Sequence, residues 1–299
     1  MNGFQVGSIS LAALIFVGIL LGLAPAHGIV SLAQSTPDWT LRVPAADGLP
    51  EHAVFVPRQL REASERSDAT TPAPVLVALH GMGENGPVFA TPLLARAELD
   101  RMVVVAPSFV YGDWTALSVA QEDLQLSEQI LALLDTLPTE TDGVPVSTDR
   151  VRLLGFSRGA QLAHRFALAH PERTSEVAVF SAGTYTLPDR SQREILPFGT
   201  ADMQAYLGHP LDLDKLRQVH FLVGVRLLDA NPADLPRAWD PYEGSTRVQR
   251  ASAFVGALQA VGIPAELQVF AGVGHDLSAE MVANGLAFLV EATGVANVN

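Results

Sequence analysis

The chain has 299 residues, of which 48% are hydrophobic, 17% charged and 7% aromatic, with 24 glycines and 20 prolines; this is enough apolar material for a full core and excludes a disordered chain, a coiled coil and a collagen-like repeat. A prior of about 150 residues per domain allows two domains, but single α/β domains reach about 250, so one large domain with additions fits. Asp and Glu number 32 against 19 Lys and Arg, a net charge of −13 that repels a phosphate backbone, and the lack of any Cys excludes a disulfide framework, a Cys-ligated metal centre and a thiol nucleophile.

At the N-terminus, the apolar stretch Leu11 to Leu23 (LAALIFVGILLGL) is short for a bilayer span and is followed by Ala24-Pro25-Ala26, a small-residue cleavage pattern. Residues 1–26 are therefore expected to be a secretory signal peptide. The first Lys or Arg of the chain is Arg42, so the usual positive n-region is missing, and an uncleaved membrane anchor over residues 9–26 is the alternative. Either reading puts the body outside the cytoplasm, secreted or in the cell envelope. Residues 27–50 are read as a connector and 51–295 as the folded domain.

Short apolar runs then alternate with helical patterns. The runs are His52 to Val56, Val75 to His80, Met102 to Ala106, Val151 to Leu154, Val177 to Ser181, Val219 to Val223 and Ala265 to Phe270. Most are continuous Val, Leu and Ala, as in strands buried on both faces of a parallel sheet. The helical patterns are Val119 to Leu137, Gly159 to Ala169, Thr246 to Val261 and Ala279 to Ala292. The alternation predicts an α/β fold with a doubly wound, mostly parallel sheet. Residues 182–218 form a long connection containing Tyr185, Phe198, Met203 and Tyr206, which favour a packed cap over disorder.

Gly155-Phe156-Ser157-Arg158-Gly159 matches GxSxG, with VRLL before it reading as a strand and GAQLAHRFALAH after it as a helix. This is the strand–turn–helix setting that pushes a serine into a strained conformation at the end of a sheet. The bland alternative is a serine capping an ordinary helix. A serine hydroxyl needs a base, and the base a carboxylate, in the chain order Ser, acid, His. His275, in AGVGHDLS, follows the last strand and precedes the last helix, whereas His164, His170 and His209 lie elsewhere and His220 sits inside a strand. The acid should follow the strand VHFLVG. Asp229 comes first, with Asp234 and Asp240 as competitors, each also readable as a turn residue beside a proline.

Donors for a developing oxyanion are expected from the backbone N–H groups of Met82, in His80-Gly81-Met82-Gly83, and of Arg158. The stretch Gly81 to Gly86 also matches GxGxxG. Pro87 follows it, no helix is expected to open there at once, and the next strand ends in Pro107 instead of a ribose-binding acid, so a dinucleotide site is not expected. No metal motif is present and no cofactor is expected. Phe109, Tyr111 and Trp114, after the strand MVVVA, are the expected substrate-pocket residues. The Arg158 side chain is expected to be solvated.

With HGMG, GFSRG, the Asp229 region and GVGHD in that order, the chain resembles the α/β-hydrolase superfamily, and within it the branch of exported serine esterases similar to PHB depolymerases and carboxylesterases. The resemblance covers about Glu51 to Leu289. It implies a serine hydrolase in which Ser157 attacks a carbonyl, His275 moves the proton and Asp229 holds the imidazole. The implied partner is a small or polymeric ester, with no nucleic acid, and a membrane only through an uncleaved N-terminus. A peptidase or amidase, or a catalytically silent binding protein, would share the fold.

Overall fold

Continuous runs of Val, Leu and Ala become the inner strands of one sheet. The computed structural model describes residues 38–46, 48–68, 71–189 and 193–291; the segment read as a signal peptide or anchor lies outside them. Among the described residues the strands are β1 (Leu41–Val43), β2 (Glu51–Phe55), β3 (Ala73–Leu79), β4 (Val103–Ser108), β5 (Val146–Phe156), β6 (Thr174–Phe180), β7 (His220–Leu228) and β8 (Ala265–Val273). They form an eight-stranded sheet in the order β1-β2-β4-β3-β5-β6-β7-β8. The strands from β3 to β8 pair in parallel, while β2 is antiparallel to β4 and β1 to β2.

The helices are α1 (Arg58–Glu65), α2 (Gly86–Ala90), α3 (Leu94–Leu99), α4 (Val119–Thr136), α5 (Arg158–Ala169), α6 (Met203–Leu207), α7 (Leu213–Leu216), α8 (Asp240–Glu243), α9 (Arg247–Ala260) and α10 (Ala279–Glu291). Side chains alternate across a strand, so the sheet carries two apolar layers. Val77, Leu79, Val105, Leu153, Val179 and Val223 pack with α4, α5 and α9. Leu76, Ala78, Val104, Leu154, Phe180 and Leu222 pack with α2, α3 and α10. All six parallel strands end at the same edge, and the loops after β3, β5, β7 and β8 converge there. No described helix is long and apolar enough to cross a membrane.

The expected mostly parallel, doubly wound sheet is present with all seven anticipated strands. One local expectation fails: a helix does open directly after the GxGxxG stretch. Asn85 caps α2 by accepting from the Val88 N–H at 3.0 Å, and Pro87 sits in the first turn, where its missing N–H costs nothing. Gly86 is required there, since a Cβ would lie 2.3 Å from the Ala106 carbonyl oxygen. Residues 182–189 and 193–218 are packed: Tyr185 stacks on Phe254 at 4.6 Å, and Phe198 stacks on Tyr242 at 4.2 Å.

Beneath this segment Glu243 of α8 is 2% exposed, with both carboxylate oxygens accepting from the Tyr185 N–H at 3.0 and 3.1 Å. Burial outweighs the nearby Arg250 and Arg165 and pushes the carboxyl from 4.5 up to about 8. Between those values the folded chain holds a proton that the unfolded chain has released. Stability from this group is therefore present in full below pH 4.5 and is lost as pH rises toward 8, by up to about 1.4 kcal/mol per pH unit. Buried His80 and His164, whose pKa values burial lowers, give the opposite trend below the ordinary His value of 6.5. Comparing denaturation of the wild type and Glu243→Gln isolates the carboxyl: the variant should gain relative stability steadily from pH 5 to 8, and a constant difference would contradict the buried protonated acid.

Candidate active site

Ser157 stands at the turn from β5 into α5 with φ 54° and ψ −115°, a region a non-glycine residue enters only when its surroundings force it. The flanking glycines make this possible. A Cβ on Gly155 would lie 2.4 Å from the Gly159 carbonyl oxygen, and one on Gly159 2.1 Å from that of Leu79. The Ser157 N–H donates to the Phe180 carbonyl at 2.9 Å, and its own carbonyl accepts from Ala160 and Gln161 at 3.1 and 3.2 Å. The hydroxyl is thereby held clear of the sheet edge.

His275 comes in from the loop after β8, with Gly272 near the end of the strand and Gly274 in the loop taking φ 127° and 92°. Its Nε2 lies 2.8 Å from Ser157 Oγ and its Nδ1 2.7 Å from Asp229 Oδ2. The ring packs against Phe156 at 4.9 Å. Asp229 follows β7 directly. Residues Val225 to Leu228 prolong that strand and carry the acid to the histidine. Asp229 is 2% exposed, and its second oxygen accepts from Arg247 Nη1 at 2.7 Å. Arg226, three residues earlier, is ion-paired with Asp276, which ties the acid loop to the histidine loop. Of the competing acids, Asp240 pairs with Arg250 at 2.9 Å, and the carbonyl of Asp234 faces Arg247 Nη2 at 3.4 Å. His220 lies at the opposite end of β7 from Asp229.

Gly81 lies against Ser157, with room for a Cβ only 3.5 Å from that of the serine. This brings the Met82 backbone beside the serine. His80, fully buried, fixes the loop by donating Nδ1–H to the Gly81 carbonyl at 2.7 Å and accepting the Phe109 N–H on Nε2 at 2.9 Å. Burial holds its pKa below the ordinary value, which preserves the neutral form that both bonds require. Arg158 is the first residue of α5, so its N–H has no intrahelical acceptor.

The Arg158 side chain is not solvated. It is 1% exposed and runs away from the serine beneath Tyr111, donating Nη1 to Asp123 at 2.5 Å and Nη2 to Glu122 at 2.6 Å. Asp123 also accepts from Arg165 at 2.6 Å. Phe109 and Tyr111 likewise line neither cavity beside Ser157. Phe109 is buried in the core layer against α4, and Tyr111 donates its hydroxyl to the His80 carbonyl at 3.1 Å. Trp114 does line a cavity, a small one of about 180 Å³ shared with Gln161, Gly183 and Arg247. On the other side of the serine a larger cavity of about 950 Å³ is walled by Val88, Phe89 and Pro92, from α2 and the turn after it, and by Leu277, Val282 and Leu286, from the end of the His275 loop and α10. The loops after β4 were expected to supply this wall. They are instead tied down by His80 and Arg158, and helices on the other face take their place.

No protein-family model matches the chain, and no curated protein matches it significantly. Solved structures do. A poly(3-hydroxybutyrate) depolymerase from Bordetella parapertussis is 20% identical over 87% of this chain and 91% of its own, with a TM-score of 0.61. Poly(aspartic acid) hydrolase-1 from Sphingomonas sp. KT-1 is 17% identical over 80% and 93%, at 0.59. An S-formylglutathione hydrolase from Staphylococcus aureus is 16% identical over 84% and 94%, at 0.53. At these identities the likeness is one of fold.

Proposed function

We propose that this chain, built on the α/β-hydrolase fold of those solved structures, is a serine hydrolase that cleaves carboxylic esters through an acyl-enzyme. One observation carries the reading: the unbroken line from Ser157 Oγ through both nitrogens of His275 to Asp229, at 2.8 and 2.7 Å, with Ser157 on a strained turn. The names of neighbours such as the polyester depolymerase and a ferulic acid esterase point the same way.

In this reading Nδ1–H of His275 donates to Asp229, which leaves Nε2 as a base. Nε2 takes the Ser157 proton as Oγ attacks the ester carbonyl carbon, and the carbonyl oxygen, now negative, receives the N–H groups of Met82 and Arg158. Fixed donors of this kind need no reorganisation as charge develops, and each is worth about 10²-fold or more in rate. The positive end of α5 adds to them. Collapse breaks the bond to the alcohol, which leaves with the proton from Nε2. Water then gives a proton to Nε2 and attacks the acyl-serine, releasing the acid and restoring Ser157. The apolar wall of the larger cavity suits an alkyl or aryl substituent of a small or polymeric ester. Export rests on the apolar segment in residues 1–26, with 27–50 as connector to the catalytic domain at 51–295.

The test is fluorophosphonate labelling of the purified protein beside a screen of p-nitrophenyl esters and peptide amides. Labelling at Ser157 with ester turnover well above amide turnover is expected. An unlabelled, inert protein would mean a silent fold, and amide turnover matching ester turnover would mean a peptidase.

A further inference from the structure

The two cavities that meet at Ser157 differ about five-fold in volume, about 950 Å³ against about 180 Å³. At about 30 Å³ for a water-sized group, the larger has room for about thirty such groups and the smaller for about six. An ester whose carbonyl meets Ser157 carries an acyl chain on one side and an alcohol on the other. With one substituent in each cavity, the two face unequal space.

The walls of the smaller chamber are firm. Trp114, Gln161, Gly183 and Asp234 all line it and converge at one point: a Cβ on Gly183 would lie 3.1 Å from Gln161 Nε2, 3.5 Å from Trp114 Cζ3 and 3.7 Å from the Asp234 carbonyl oxygen. The space among the three is that of a single methyl group. Arg158 and Arg247, which also line the chamber, are buried and ion-paired, the first with Glu122 and Asp123 and the second with Asp229. Gln161 is 2% exposed. In a close-packed interior none of these three side chains can swing aside to lengthen the chamber. Trp114 is the largest side chain of the lining, and its half-buried ring is rigid. It stands on a turn fixed by Asp113, whose carboxylate accepts the Thr115 N–H at 2.9 Å and the Thr115 hydroxyl at 2.6 Å.

We propose that Trp114 is a specificity-determining residue that holds one substituent of the ester to a short chain, of about six non-hydrogen atoms at most, while the other substituent extends in the larger cavity. This rests on the serine-hydrolase reading above and names the substrate class for it: esters that are short on one side.

Two matched pairs test it and tell the acyl side from the alcohol side: ethyl butanoate against ethyl octanoate, and butyl propanoate against octyl propanoate. The constant ethyl and propanoyl groups are short enough for either cavity. Each kcat/KM is divided by the rate of the same ester with hydroxide ion, which removes intrinsic reactivity, and the ratio of the eight-carbon to the four-carbon member is read. Each methylene taken up by an apolar wall raises kcat/KM about four-fold. The ratio should therefore rise in the pair whose chain enters the larger cavity and fail to rise in the pair whose chain meets Trp114, so that the two ratios differ by at least about ten-fold in the wild type. In Trp114→Ala the lower ratio should climb about ten-fold, while the higher one stays within about two-fold of its wild-type value. Ratios that agree in the wild type, or a low ratio that persists in Trp114→Ala, overturn the proposal. The first of these needs no variant. A protein that turns over none of the four esters and takes no fluorophosphonate would instead overturn the hydrolase reading beneath it.

Discussion

Ser157→Ala is expected to lower kcat toward a p-nitrophenyl ester by at least about 10³-fold, because the oxyanion donors and substrate binding that remain give only residual catalysis. The structure makes this substitution clean. The strain at φ 54° belongs to the backbone and the Cβ, both of which alanine retains. The contacts that hold the turn, from the Ser157 N–H to Phe180 and from its carbonyl to α5, are main-chain bonds that do not involve Oγ. Thermal unfolding and circular dichroism should match the wild type while fluorophosphonate labelling disappears. Turnover surviving at wild-type rates in the alanine variant would remove Ser157 from the chemistry.

Asp229→Asn should be nearly as damaging, with a loss reaching about 10⁴-fold, the scale set by the wrong imidazole tautomer in serine proteases. The second carboxylate oxygen supplies the reason to expect the full effect here. Arg247 Nη1 donates to Asp229 Oδ1 at 2.7 Å and can only donate, so an asparagine is oriented with its oxygen toward the arginine. Its NH₂ then faces His275 Nδ1. The ring must accept there, its proton moves to Nε2, and Nε2 can no longer take the proton of Ser157. Asp234→Asn and Asp240→Asn leave this geometry in place and should stay within about ten-fold of wild type in kcat, since each acts through local contacts. Side-by-side assay of the three variants decides the assignment: a crippled Asp234→Asn beside a near-normal Asp229→Asn would move the acid by one turn of loop.

Much of this site was legible in the chain because its signals are local. The glycines of GFSRG are needed by sterics within five residues, and His275 is marked by its place between the last strand and the last helix. The continuous apolar strands likewise announce a sheet covered on both faces. What escaped depends on distant partners. Arg158 reads as a surface residue until Glu122 and Asp123, one helix earlier, fold over it. Phe109 and Tyr111 have the composition of a pocket wall, yet His80 recruits the backbone of one and its carbonyl holds the hydroxyl of the other. Arg247 and Gln161 are polar residues within helices, and nothing nearby in the chain marks them as buried. The small helix α2 was hidden by Pro87, which reads as a breaker unless the preceding Asn85 is recognised as a cap.

The arginines lining the two cavities are all engaged: Arg96 with Asp100, Arg158 with Glu122 and Asp123, and Arg247 with Asp229. The proposed ester cleavage would turn a neutral reactant into an anion, and an anion formed at Ser157 would meet no uncommitted guanidinium among these, while Glu84 and Asp276 also line the larger cavity. The net charge of −13 on the chain also disfavours retention of an anion. On the proposed ester chemistry, these committed guanidinium groups would favour departure of the product acid over its retention, and the freed acid would compete poorly with the next molecule of ester.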